Sequence, residues 1–208
     1  MLTDRLRTAR PDYGWLSEET EDDTSRLNTR KQFIIDPIDG TRAFIKGNTT
    51  WAHSLAICDA GQITHAVVNL PMLDRLFVAE IGKGATLNGA PLSVSNRQEL
   101  DGSTLLAAKP NLKPEFWAGD VPNFDLNFRS SLAYRLSLIG QGRFDAMLTL
   151  RKTWEWDVAA GTLIVTEAGG IATTRTGATP VFNNTEPALD CMVAAGPNLH
   201  SKIIKALA

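Results

Sequence analysis

Apolar residues fall in short, turn-bounded runs along the first half of the chain and in helix-spaced clusters along the second. Gln32-Phe33-Ile34-Ile35 is a compact apolar run of the kind a buried strand shows, and it stops abruptly at Asp36-Pro37. Residues 51–58 and 62–70 read as two strands joined by a turn at Asp59-Ala60-Gly61, and residues 75–81 as a third. Asn88-Gly89 is a hairpin signal, with residues 91–95 pairing back. Ahead of these, residues 1–10 read as the end of a helix closed by Pro11, and residues 21–31 as an exposed loop or short helix.

The pattern changes near residues 98–102. Residues 103–108 read as a strand, and residues 110–127 as loop with at most one short helix. Residues 131–139 have helical spacing, with Leu132, Leu136 and Ile139 on one face and Gly140 and Gly142 ending it. A strand over 144–150, an apolar helix over 158–168, a strand over 190–195 and a terminal helix over 199–207 complete the pattern. This mixture predicts an α/β layered fold. The expected organisation is an antiparallel-rich lobe over residues 1–102 and an α/β lobe over residues 103–208.

Composition narrows the field. The chain has 208 residues, 43 % hydrophobic and 21 % charged, which excludes disordered and fibrous classes. A formal net charge of −2 argues against a nucleic-acid polymer as partner, because such binding rests on many Lys and Arg. Cys58 and Cys191 sit in apolar contexts and read as buried thiols, and without a Cys/His cluster no structural zinc is expected. The N-terminus has no signal-like stretch, and no run approaches the ~20 apolar residues of a membrane span. The expected setting is cytoplasmic, with no membrane partner.

The segment richest in chemistry is Asp36-Pro37-Ile38-Asp39-Gly40-Thr41. Pro37 fixes its own φ and restrains Asp36, and Gly40 permits a sharp backbone path. Asp36, Asp39 and the Ile38 carbonyl can then aim at one point, as a hard cation requires. The same residues also make an ordinary turn with solvated aspartates. Asp157, in Trp156-Asp157-Val158-Ala159-Ala160-Gly161, stands just before an apolar helix and reads as an N-cap, a metal ligand, or both. Glu18-Glu19 is either a surface acidic pair or a ligand that orients water.

Taken in order, Ser17-Glu18-Glu19, residues 36–41 and residues 156–161 resemble the three motifs of the inositol monophosphatase superfamily, metal-dependent and often lithium-sensitive phosphatases. Glu167-Ala168-Gly169-Gly170 and Asn88-Gly89 match as well. The resemblance implies an αβαβα sandwich and hydrolysis of small phosphate monoesters by water activated at two or more Mg2+ ions. It implies Glu18, Asp36, the Ile38 carbonyl, Asp39 and Asp157 as metal ligands, with Asp36 bridging. Glu18 and Thr41 would activate the water, and the Gly40 and Thr41 N–H groups would hold the phosphate.

Family members usually carry two further helices ahead of the point matching Met1. The sheet surface these would cover is expected to be exposed here, with impaired stability, a compensating homodimer or a rearranged N-terminus as the expected consequence. A catalytically impaired metal- or phosphate-binding module, or a dimerisation module, is the alternative function. For the substrate, the stretch ahead of the Trp-Asp motif has no acid but carries Arg151 and Lys152. That is similar to the bisphosphate nucleotidase branch, in which a second phosphate needs basic partners; the two are otherwise solvated surface charges. Ser130 and Ser131 lie where the family lines its substrate pocket, or cap the following helix. Inositol phosphates, bisphosphate nucleotides and sugar bisphosphates all remain open as substrates.

Overall fold

The computed structural model describes residues 2–208; the start of the first expected helix, Met1, lies outside the described residues. The first sheet runs in chain order, β1 (Gly14–Ser17), β2 (Lys31–Asp39), β3 (Ala52–Asp59), β4 (Gln62–Leu70), β5 (Arg75–Glu80), β6 (Gly84–Leu87) and β7 (Ala90–Pro91). Every neighbouring pair is antiparallel except β1 and β2, which run parallel. The second sheet has the order β11-β12-β10-β8-β9, built from β8 (Thr104–Leu106), β9 (Asp125–Asn127), β10 (Ala146–Trp154), β11 (Ile171–Thr173) and β12 (Ala188–Ala195). The helices are α1 (Leu2–Ala9), α2 (Thr41–Ile45), α3 (Leu132–Gly140), α4 (Glu155–Glu167) and α5 (Pro197–Ala206).

Burial gives the layer order. Alternation along β3 and β5 turns Ala52, Ala56, Phe77 and Ala79 inward, where they meet Leu136, Ile139, Leu163 and Ile164 of α3 and α4. The opposite side of that helical layer meets Met147, Met192 and Ala194 of the second sheet. The far face of that sheet, with Leu105, Leu148 and Val193, packs on Leu199 and Ile203 of α5. On the outer face of the first sheet, Leu6 of α1 packs in a small cluster with Trp15, Phe33 and Ile35, which Tyr13, Leu55 and Ile57 join. The result is the expected αβαβα stack, its outermost helical layer covering one end of the first sheet.

Helices α3 and α4 approach closely because Gly161 has no side chain: a Cβ there would lie 2.5 Å from Leu136 Cβ. Arg26, almost completely buried, ties the loop before β2 to the segment before β12. It bonds both Asp22 carboxylate oxygens at 2.7 and 2.9 Å, Asn183 Oδ1 at 2.5 Å and the Asn184 carbonyl at 2.9 Å. Among the described residues no helix is long and apolar enough to cross a membrane, and Cys58 and Cys191 are buried free thiols.

Several expectations need correction. Strand β2 does not stop at Asp36-Pro37 but continues to Asp39 through an irregularity. Residues 110–127 hold two 3-10 turns and the strand β9 in place of loop with at most one short helix. Only Ala90 and Pro91 pair back after the hairpin. Helix α4 begins at Glu155, so Asp157 sits inside its first turn and the N-cap position belongs to Trp154.

Candidate metal centre

The site starts from a register shift. Asp36 pairs with Ser54 and Asp39 with Ala52, so β2 advances three residues while β3 advances two. In a regular strand positions 36 and 39 face opposite sides. Pro37 has no N–H for the ladder, and the extra residue is taken up as a bulge that returns Asp39 to the inward face. Asp36 Oδ1 accepts the Ile38 N–H at 2.8 Å, and His53 Nδ1 lies 2.5 Å from the Pro37 carbonyl, fixing the bulge from both sides.

Gly40 then turns the chain at φ +92°, a region L side chains avoid, and opens α2. A Cβ there would also lie 3.3 Å from the backbone nitrogen of Ser131. Thr41 is exposed, and its hydroxyl donates to the Ile38 carbonyl at 3.1 Å.

Asp39 is held by the N-terminus of α3. Its Oδ2 accepts the Ser131 hydroxyl at 2.6 Å and the Ala133 N–H at 2.7 Å, while Ser131 Oγ accepts the Tyr134 N–H at 2.9 Å. Ser131 is fully buried, so its side chain is committed to Asp39 and the helix cap. Ser130 is half-buried.

The third acid comes from far along the chain. Ser54 Oγ donates to the Trp156 carbonyl at 3.0 Å, pinning the strand-to-helix corner of β10 and α4 against β3. Asp157 thereby meets the other two: Asp36, Asp39 and Asp157 each offer a carboxylate oxygen within 4.8 Å of the others. Glu18 follows β1, whose parallel pairing puts Ser17 opposite Ile35, and the Glu18 N–H donates to the Ile35 carbonyl at 3.3 Å. Its side chain is exposed, outside the tight group but inside the electrostatic reach of Asp36 and Asp157.

The cluster is electrostatically strained as long as it carries only its own charges. Burial, then the charges of Asp39 and Glu18, push Asp36 up to about 9. Burial, Asp39 and Glu18 push Asp157 up to about 8, against the lowering field of Arg151. Burial raises Asp39 to about 6, held back by its bonds from Ser131 and Ala133. Two unit charges at this spacing repel by about 3 kcal/mol at an effective dielectric of 20. An all-oxygen donor set crowded in this way fits a hard divalent cation such as magnesium, which removes the repulsion. Arg151 lies on the exposed stretch of β10 beside Asp157, and Lys152 next to it ion-pairs with Glu186.

Sequence reasoning did not find Ala133, His53 or Ser54 as supports. An N–H donor or a lone hydroxyl carries no signal until the fold brings it to its acceptor.

The inositol monophosphatase family description matches residues 1–208. The inositol-1-monophosphatase of Rhizobium meliloti (strain 1021) is 34 % identical over 187 residues, covering 85 % of this chain and 69 % of that protein. The Nus factor SuhB of Escherichia coli (strain K12) is 35 % identical over 185 residues, covering 85 % of this chain and 68 % of that protein. Among solved structures, the extragenic suppressor protein suhB of Bartonella henselae superposes with a TM-score of 0.82 at 29 % identity, over 98 % of this chain and 83 % of that one.

Proposed function

The chain belongs to the inositol monophosphatase family, and on that premise we propose that it is a magnesium-dependent hydrolase of small phosphate monoesters. The observation that carries this reading is the meeting of Asp36, Asp39 and Asp157, acids from two segments more than a hundred residues apart. Asp36, Asp39, Asp157, Glu18 and the Ile38 carbonyl would hold the metal in this reading, an all-oxygen set large enough for two or more ions. When bound, magnesium lowers the pKa of water and screens the charge of the phosphate.

The protein groups divide the work. The Ser131 hydroxyl and the Ala133 N–H donate to Asp39 and favour its ionised form against the effect of burial, which prepares that oxygen to meet a cation. Glu18 is the exposed acid of the set and takes the proton of the attacking water, with the Thr41 hydroxyl orienting that water. The Gly40 and Thr41 N–H groups, at the start of α2, face the phosphate oxygens. Arg151 and Ser130 contact the rest of the substrate, an inositol phosphate or a 3′(2′),5′-bisphosphate nucleotide. The reading includes a cytoplasmic setting and a homodimer.

The test is phosphate release from a panel of inositol, nucleoside and sugar phosphates, with and without magnesium. Release that needs magnesium and disappears in Asp39→Asn supports the proposal; no release from any member contradicts it. A second reading, a non-catalytic metal- or phosphate-binding or dimerisation module, is favoured by the uncovered sheet face: Leu76 and Val78 of β5 are 43 % and 37 % exposed. Metal binding without turnover would support that one.

A further inference from the structure

A cleft lies at the far end of β3 from the acidic cluster. It encloses about 490 Å³ between the turn after β3, the last turns of α4 and the loop ahead of β12. Its walls are apolar: Ile63, Leu163, Ala172 and Phe182 are buried, while Ile81 and Val181 stand at the rim, 40 % and 62 % exposed. None of its lining residues belongs to the acidic cluster. Strand β3 has Ser54 at the acidic corner and, at a rise of about 3.3 Å per residue, ends about 17 Å away at Asp59, beside the cleft.

Hydrogen bonds hold the cleft open in advance of any ligand. The Phe182 N–H donates to the Gly61 carbonyl at 3.0 Å, tying the loop to the turn. Glu167 Oε1 and Oε2 accept the N–H groups of Gly82 and Gly84 at 2.9 and 2.8 Å, fastening the turn after β5 to the end of α4. Glu167 is the one charged side chain among the described residues that line the cleft, and each of its oxygens is already engaged. A charged ligand would therefore lose its hydration here without a partner in exchange. One polar group stands apart. Thr162 lines the cleft at 8 % exposure, and its hydroxyl has no hydrogen-bond partner among the described residues. Thr166, one turn later, shows the ordinary outcome on a helix: its hydroxyl reaches the carbonyls of Thr162 and Leu163 at 3.2 and 3.1 Å. A buried hydroxyl left unpaired is costly. A helical threonine divides between two χ1 rotamers, so this one can turn to a ligand while the helix stays in place.

We propose that this cleft is a second binding site, for a small uncharged molecule with an apolar ring-sized body and one hydrogen-bonding group that Thr162 recognises. The volume falls in the range of small-molecule sites, about 300–1,000 Å³, and apolar walls with one polar group to fix orientation are the composition such sites have. The neutral lining decides the charge of the occupant. The inference is independent of the phosphatase reading, because no residue of the cleft takes part in it.

The test is titration of the full chain with 2-naphthol, a phenol that is uncharged at about pH 7, and with naphthalene-2-sulfonate, followed by amide NMR shifts. Saturable binding of 2-naphthol is expected, with shifts centred on Gly61, Thr162 and Val181, and binding of the sulfonate at least about 10-fold weaker because its charge goes unpaired. Thr162→Val, which keeps the shape and removes the hydroxyl, is expected to weaken 2-naphthol about 5-fold, the value of one neutral hydrogen bond. Val181→Asp, at an exposed rim position that spares the core, is expected to weaken it at least about 10-fold by replacing an apolar contact with a charge. Absence of saturable binding, shifts gathered on other surfaces, a sulfonate bound as tightly as the naphthol, or undiminished affinity in either variant overturns the site.

Discussion

The Ser131 hydroxyl donates to Asp39 Oδ2 at 2.6 Å while accepting the Tyr134 N–H at 2.9 Å. One buried oxygen thus caps α3 and fixes a metal-ligand candidate 92 residues earlier in the chain. Ser131→Ala removes both interactions and leaves the Ala133 N–H as the main donor to Asp39. The expected loss is about 1–2 kcal/mol of stability, the usual cost of deleting a helix N-cap, together with weaker magnesium-dependent turnover. Urea denaturation and phosphate release on one preparation measure the two effects. A variant unchanged in both would show that the contact contributes to neither.

Gly40→Ala tests the turn itself. The residue sits at φ +92°, and a methyl group there would press on Ser131, so the variant meets backbone strain and a close contact together. Strain of this kind costs about 1–3 kcal/mol. A loss of turnover larger than that of Ser131→Ala is expected, because the Gly40 and Thr41 N–H groups move with the turn. Denaturation midpoints and turnover at saturating magnesium check it.

The acids give a pH dependence with a defined sign. Folding raises the pKa of Asp36, Asp39 and Asp157 above the ordinary carboxylate value, so the folded protein binds protons more tightly than the unfolded chain. The stability they contribute is therefore full below about pH 4 and is lost as the pH rises through their folded values. His200, whose pKa burial lowers, acts in the opposite direction around its own titration, and the buried thiols Cys58 and Cys191, pushed up to about 11 and about 12, act in the same direction as the acids from about pH 8 upward, which leaves about pH 7 to 8 the cleaner window. Melting temperature in a chelator is expected to fall from about pH 7 to about pH 8, while the gain on adding magnesium grows over the same range because the ion competes with protons. A chelated protein whose melting temperature is flat or rising there would contradict the strained cluster.

The outer face of the first sheet predicts self-association. Leu55, Val67 and Val78 line up across β3, β4 and β5 on that side, and α1 does not extend over Val78. Light scattering coupled to gel filtration is expected to give twice the chain mass, and Val78→Glu to return it to the monomer. A wild-type monomer at all concentrations would remove the homodimer from the reading.

The long elements were legible because their patterns run over many residues. Alternation in β3 and β4 and the apolar face of α3 fixed their places to within a residue or two. Strands β1, β9 and β11 span three or four residues, too few for a period to show, and owe their existence to neighbours such as the β8 ladder beside β9. At the site, Asp36, Asp39 and Asp157 were legible as types in a spaced pattern. The bulge that turns Asp39 inward was not, since it depends on a register with β3. Ser131 read as a substrate contact or a cap, and only the approach of α3 to the Gly40 turn reveals its bond to Asp39.

The central claim is that Asp36, Asp39 and Asp157 jointly hold divalent cations next to a bound phosphate. Anomalous scattering from crystals soaked in manganese, as a heavier stand-in for magnesium, and inorganic phosphate measures this directly. The account predicts at least one strong peak within ligand distance, about 2.0–2.2 Å, of oxygens from all three residues, with phosphate density facing the Gly40 and Thr41 N–H groups. Peaks only at surface carboxylates, with the three acids free of metal at saturating manganese, would contradict it.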